Sequence, residues 1–278
     1  MARPARKSPA TRFRRKPASF SDLPPVAPFR LDGMHRLIPS RYSEPPKYVE
    51  PGHVEHGYQD QGTVLSAIAD SDEMLDDIAL LDGATNERIR TERRGSIGIS
   101  PYELVYGIPN AHIVNAAFCY TSDDGGRFND HTRGAWYAAE ELETSISEVT
   151  YHRAAHLADI IVPDLPDQMP DVDKSTYDDW LADFHSTFHE LAPASQYVQY
   201  LEPEPVPQCY AQGQQLARKL LDAGANGVLY PSVRRTPRLC LACFRPALVY
   251  NPRRESRYAI QLTREKGAYS VSVSEINL

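Results

Sequence analysis

Three short segments carry residues whose types and spacing could do chemistry. The first is Arg36-Leu37-Ile38-Pro39-Ser40-Arg41-Tyr42. The second is Gly126-Arg127-Phe128-Asn129, followed by Gly134-Ala135-Trp136-Tyr137-Ala138-Ala139 and a helical stretch bearing Glu148 and His152. The third is Asn226-Gly227-Val228-Leu229-Tyr230-Pro231-Ser232-Val233-Arg234. Each sets an Arg, Glu, Tyr or Ser at a strand end or beside a glycine turn, where side chains converge on clefts. Singly, each also has a bland reading, because exposed Arg and Glu are commonly just solvated.

Other patterns carry less. Cys240-Leu241-Ala242-Cys243 is a CxxC, but it lies in a strand pattern, where an odd offset sends the two thiols to opposite faces. His185 and His189 have the i, i+4 spacing of a helical metal pair, without HExxH or an obvious third ligand, so a solvated face is the better reading and no metal is expected. GxSxG, Walker A and GxGxxG are all missing, so any nucleotide handling must come from scattered residues.

The elements that must position these residues follow from periodicity. A strand is expected at Met34–Ile38, a Pro, Gly and His-rich loop from Pro45 to Gly62, and a helix through Val64, Ile68, Leu75 and Ile78. Ala111–Tyr120 is apolar, β-branched and aromatic enough for a strand, and residues 134–139 read as another. A helix from about Glu140 to His156 has Leu142, Ile146 and Val149 as its apolar stripe, with Glu141, Ser145, Glu148 and His152 on one flanking strip. Residues 163–207 are acidic and proline-rich and read as a peripheral insertion with a helical patch around Tyr177–Glu190. Gln208–Ala223 reads as a helix closed by Gly224, then come strands at 226–232 and 239–244 and two weak strand patterns from Tyr258. Several strands, few helices and no regular βαβ alternation predict an α+β fold, with mixed or antiparallel sheets and flanking helices.

Length and charge bound the class. The chain has 278 residues, 41% hydrophobic and 24% charged, which is ordinary globular composition. No apolar run reaches the roughly 18–20 residues of a membrane span, and four cysteines without a secretory h-region do not make a disulfide module. A soluble, cytoplasmic protein is expected. Residues 1–20 hold seven cations and no acid, so the rest of the chain carries −14 of the net −7. Such a body repels nucleic acid, leaving that reading to the tail. Residues 1–28 are too poor in large apolar groups to offset their ordering entropy and read as a disordered basic tail, with a nucleic-acid arm or a transit peptide as other readings. Residues 29–278 read as one folded domain.

Taken together, the segments resemble the RES family, named for an Arg, a Glu and a Ser. The resemblance runs from about His35 to Ala247 through HRLIPSRY, ATNER, GRFN, GAWYAAEELETSISEVTYHR, NGVLYPSVR and FRP. It places the family Arg on Arg36, the Glu on Glu148, the Ser on Ser232, the GRFN arginine on Arg127 and the aromatic before the helix on Tyr137. Where the family commonly has a Gly-Gly turn after YPS-V-R, this chain has Arg235-Thr236-Pro237-Arg238. Such proteins are similar in fold to mono-ADP-ribosyltransferase toxins and act on NAD, so the resemblance implies that the 29–278 domain is catalytic. Some degrade it with phosphate or water as ADP-ribose acceptor, and one branch modifies phosphoribosyl pyrophosphate synthetase. Many are toxins silenced by an Xre-like helix-turn-helix antitoxin that blocks the active site, so nucleic acid enters only through that partner.

The chemistry implied by the resemblance is coherent. Breaking the nicotinamide–ribose bond builds positive charge on the ribose carbon, which Glu148 would counter while holding a ribose hydroxyl. Arg36 and Arg127 would bind the diphosphate, Tyr137 would wall the nicotinamide, and Ser232 would hydrogen-bond ribose or phosphate. Arg41, Tyr42, Phe128 and His152 form a second tier around NAD, His152 as an acceptor-phosphate ligand or as a helix cap. Three functions remain open here: an NAD phosphorylase or glycohydrolase acting as a toxin, a protein ADP-ribosyltransferase, and a non-enzymatic module with a nucleic-acid-binding tail.

Overall fold

A computed structural model of the chain describes residues 23–43, 91, 95, 98–159, 172–265 and 268–277. The stretch to residue 22, the Pro45–Gly62 loop and the helix expected through Val64 and Ile78 lie outside the described residues.

Strand β1 (Val26–Pro39) begins three residues before the expected start of the fold and carries Arg36 near its end, before a single helical turn, α1 (Ser40–Ser43). It pairs antiparallel with β3 (Val172–Glu190) along most of its length, and it touches β2 (Trp136–Ala139) at one point, His35 opposite Ala139. β2 pairs with β5 (Leu239–Cys243), β5 with β4 (Gly227–Pro231), and β4 meets β3 in parallel at Val228 and Leu229. These pairings close a ring of five strands. β6 (Tyr250–Glu265) and β7 (Ala268–Ile276), the two strands expected beyond Tyr258, extend the sheet outward from β3. The result is one mixed seven-stranded sheet among the described residues, flanked by helices, the α+β architecture expected.

Two expectations fail. Ala111–Tyr120 is not a strand but helix α2 (Ala111–Cys119). Nearly every side chain on it is buried, so no amphipathic period marks it in sequence, and a short apolar run is ambiguous between the two states. Its Asn115 amide donates to Val105 O (2.9 Å) and accepts from Val105 N (3.0 Å), fastening the preceding loop.

The second failure is larger. Residues 172–190 are neither helical nor peripheral: they form β3, which pairs with β1, β4 and β6. Trp180, Ala182, Phe184 and Phe188 recur at even offsets, the period of one strand face, and all four are buried in the cluster shared by the five ring strands. The acids that made this stretch look like surface are satisfied instead. Asp178 is fully buried and accepts from Arg257, Ser40 and Ser43, while Asp183 takes Gly33 N (2.8 Å) and Arg253 (2.9 Å). On this strand His185 pairs with Asp32, and His189 lies 2.6 Å from Pro24 O.

Helices α3 (Leu142–Asp159) and α4 (Ala211–Asp222) match expectation within a few residues. α3 lays Leu142, Ile146 and Val149 on Leu37, Tyr177 and Ile260 of the sheet. α4 packs Leu216, Ala217 and Leu220 against Val228, Tyr230, Cys240 and Ala242, and Gly224 ends it at φ +79°. A β-carbon on Gly213 would stand 2.3 Å from Arg127 O, so only glycine lets α4 approach the loop that carries Arg127. Cys240 joins the α4 cluster and Cys243 the ring cluster, on opposite faces of β5.

Candidate active site

A cleft of about 850 Å³ opens between α3, the 122–127 turn, the ends of β1 and β2, and the 204–207 segment. Arg36, Arg127, Tyr137, Glu148 and His152, drawn from four separate stretches of sequence, all line it. Ser232, Phe128, Arg41 and Tyr42 do not.

Arg36 enters where β1 parts from β2. Its Nη1 donates to Tyr137 O (3.2 Å) and its guanidinium lies 4.9 Å from the Trp136 ring centre. Burial draws its pKa down to about 10, with Tyr137 opposing, so it remains a cation at neutral pH. Its Nε is buried with no partner among the described residues, which leaves donor capacity unused beside the cleft.

Glu148 projects from α3 on the strip expected for it. Ser232, fully buried behind the cleft, donates its hydroxyl to Glu148 Oε1 (2.8 Å). The same Ser232 Oγ accepts from Arg234 N (3.2 Å) and Arg235 N (3.0 Å), and Ser232 N donates to Arg238 O (2.6 Å). The turn that departs from Gly-Gly is therefore closed by the serine itself. It is also clamped to the start of α3, where Glu141 pairs with Arg235 (3.2 Å) and Arg238 (2.7 Å). Ser232 thus contacts the carboxylate and is not among the residues that line the cleft, whereas the sequence reading expects it to bind ribose or phosphate.

Tyr137 offers its ring and not its hydroxyl. The hydroxyl accepts from Phe128 N (2.8 Å) and donates to Asn129 Oδ1 (2.8 Å), closing the Gly126–Asn129 turn, and burial pushes the phenol well up, so it stays neutral. A β-carbon on Gly126 would fall 2.9 Å from that hydroxyl, which explains the glycine there. Phe128, expected in the second tier around NAD, is fully buried edge-on against Tyr230 (4.8 Å) and does not line the cleft.

Arg127 is also engaged differently. Only 7% exposed, it donates from Nη1 to Glu202 O (2.7 Å) and Tyr200 O (3.3 Å), with its guanidinium 5.2 Å from the centre of the Tyr210 ring. Arg234 does likewise to Pro203 O (2.7 Å) from over the Tyr151 ring at 3.3 Å. Two arginines therefore hold the 200–203 backbone, and the adjoining Glu204–Pro207 forms one wall of the cleft. Tyr151 adds a hydroxyl bond to Glu204 Oε1 (3.3 Å).

His152 faces the cleft with Nε2 3.5 Å from the Tyr210 hydroxyl. Although its ring remains accessible from the cleft, desolvation first, then Arg234 and Arg127, lower its pKa to about 4. It is a neutral imidazole at pH 7, able to offer an acceptor one N–H but no charge. Arg41 stacks on the exposed Tyr42 (4.5 Å) beside a different cleft of about 640 Å³, which Lys174 and Ser272 also line, so neither joins the Arg36–Glu148 site.

Tyr210, Tyr151, Arg234 and the 204–207 wall escaped the sequence reading. Arg234 stands at the end of the third segment, but nothing local shows that it turns toward a wall some thirty residues earlier. No group of three or more His, Cys, Asp or Glu among the described residues could hold a metal, and no helix among them is long and apolar enough to cross a membrane.

One mixed sheet flanked by helices, with a carboxylate on α3 and an arginine at the β1–β2 split lining the same cleft, defines an α+β protein with a polar pocket. The sequence model of the RES domain matches residues 104–263, more than half of the chain, and the chain belongs to that family. The matched span contains Arg127, Tyr137, Glu148, His152 and Ser232, and Arg36, Arg41 and Tyr42 precede it. Among solved structures, the crystal structure of the M. tuberculosis MbcT–MbcA toxin–antitoxin complex is similar over 55% of this chain and 73% of that chain, at 14% identity and a TM-score of 0.33. No curated protein matches the chain.

Proposed function

We propose that the chain cleaves the nicotinamide–ribose bond of NAD and passes ADP-ribose to phosphate or water, as the toxin of a toxin–antitoxin pair. One observation carries this reading: Glu148, oriented by a buried serine, shares a cleft with Arg36, whose donors are not all used. As the glycosidic bond breaks, nicotinamide leaves with the bonding electrons and positive charge spreads over the ribose carbon and ring oxygen. A fixed carboxylate stabilises that charge more than it stabilises the neutral ribose of the ground state, and this difference is what accelerates a reaction. An oxygen of phosphate or water then bonds to the carbon, and any proton it releases passes to solvent. Arg36 supplies planar donors to the diphosphate, the Tyr137 ring walls the nicotinamide, and His152 stands as a neutral donor toward the acceptor. The partner this reading assigns is an Xre-like antitoxin that fills the cleft.

Nicotinamide release from NAD by the purified chain, with and without phosphate, tests the proposal beside Glu148→Gln. Release that requires phosphate makes the chain a phosphorylase, and release without it a glycohydrolase. Glu148→Gln is expected to lower either by about 10²–10³-fold, the scale for removing one preorganised electrostatic stabiliser. Label from NAD appearing on a protein band, without free ADP-ribose, would favour a protein ADP-ribosyltransferase instead.

A further inference from the structure

Arg36 and Glu148 sit on different elements, β1 and α3, yet one side-chain hydrogen bond joins those elements beside the cleft. Ser145, buried on α3, donates its hydroxyl to the backbone oxygen of His35 (2.8 Å). Ser145 lies three residues before Glu148, on the same strip of the helix, and His35 lies immediately before Arg36. Few residues of chain and a single bond therefore connect the carboxylate to the guanidinium.

His35 is itself fixed from two other sides. Its backbone is the one point where β1 registers with β2, opposite Ala139. Its ring Nδ1 lies 2.8 Å from Asp179 Oδ2, a carboxylate 1% exposed on β3. Beyond His35 the two strands part, and Arg36 turns into the gap over Trp136. Without the bond from Ser145, the His35 backbone is free to move relative to α3, which changes the seat of Arg36 over Trp136 while Ser232 still holds Glu148.

We propose that Ser145 is a positioning residue: through the His35 carbonyl it sets the spacing of Arg36 and Glu148. This rests on reading those two residues as the reacting pair. Ser145 is not among the residues that line the cleft, and its effect passes through the backbone it holds.

Ser145→Ala removes the donor, and alanine suits a helix better than serine, so α3 itself is preserved. Two readouts decide, both taken below the unfolding transition and normalised to folded protein. The first is kcat/KM for nicotinamide release, expected to fall about tenfold in Ser145→Ala and to recover in Ser145→Thr, which keeps the hydroxyl. The second is independent of activity. Trp136 lies under the Arg36 guanidinium and is one of only two tryptophans, so its emission in a Trp180→Phe background, checked against total emission of the otherwise native chain, reports the seat of Arg36. Ser145→Ala is expected to shift that emission and Ser145→Thr to restore it. Unchanged emission in Ser145→Ala, with kcat/KM within twofold of the native chain, overturns the proposal. So does an equal loss of activity in both variants with emission unchanged. If the native chain releases no nicotinamide, the proposed reaction fails while the emission of Trp136 still decides whether Ser145 governs Arg36.

Discussion

The hydroxyl of Ser232 donates to Glu148 while accepting the backbone N–H groups of Arg234 and Arg235, so one buried oxygen both closes a turn and orients a carboxylate. Ser232→Ala leaves those two N–H groups and Glu148 without it. The expected outcome is a loss of about 1–3 kcal/mol in unfolding free energy, the usual cost of a buried polar group left unsatisfied. Denaturant titration measures it. Nicotinamide release per folded molecule should fall at least tenfold, because the carboxylate regains rotamers that point away from the cleft.

Tyr137→Phe separates the ring from the hydroxyl. The ring still walls the cleft, but Phe128 N and Asn129 Oδ1 lose their partner. Stability is expected to drop by about 1–2 kcal/mol, while nicotinamide release stays within a few-fold of the native chain. A large loss of release with little loss of stability would mean that the hydroxyl leaves its turn to meet substrate.

Arg234 is the second of two cations that pin the 200–203 backbone. In Arg234→Gln the Pro203 carbonyl loses a charge-assisted donor, leaving Arg127 on the Tyr200 and Glu202 carbonyls and Tyr151 on Glu204. Amide hydrogen exchange in a peptide spanning 198–210 should quicken, with exchange in the β3 and β5 peptides unaltered. Uniform acceleration across the chain would show that Arg234 supports the fold and not this wall.

Acid lability should fall into two windows. Burial alone would raise the Asp178 pKa, but hydrogen bonds from Arg257, Ser43 and Ser40 hold it below the ordinary 3.8. A depressed carboxylate contributes stability that is present above its unfolded pKa and lost as pH falls through its folded value, so this loss lies below about pH 4. His152 acts at higher pH. Lowered to about 4 in the fold, it stays neutral where the unfolded chain's imidazole takes up a proton, so stability declines as pH drops from 6.5 toward 4. Unfolding midpoints measured from pH 7 to 3 should flatten between 6.5 and 4 in His152→Gln, and below 4 in Asp178→Asn.

The sequence by itself determined much of the local structure around the site. The α3 stripe of Leu142, Ile146 and Val149, the Gly224 stop after α4, and the short strands that carry Tyr137 and precede Ser232 are all where the sequence pattern puts them, because each is marked by its own residues. The opposed faces of Cys240 and Cys243 follow from the two-residue period of a strand in the same way. Only the tertiary structure could decide the rest. Ala111–Cys119 is buried nearly all round and so lost its helical period, and the acids of Val172–Glu190 looked solvated until Arg253 and Arg257, some seventy residues later, arrived to pair with them. That Ser232 serves Glu148 and not the cleft, that Arg127 holds backbone carbonyls, and that Arg41 faces another cleft depend on where distant segments come to rest. Residue type and spacing state what a side chain can bind; the partners it meets are fixed by long-range packing, which no local pattern encodes.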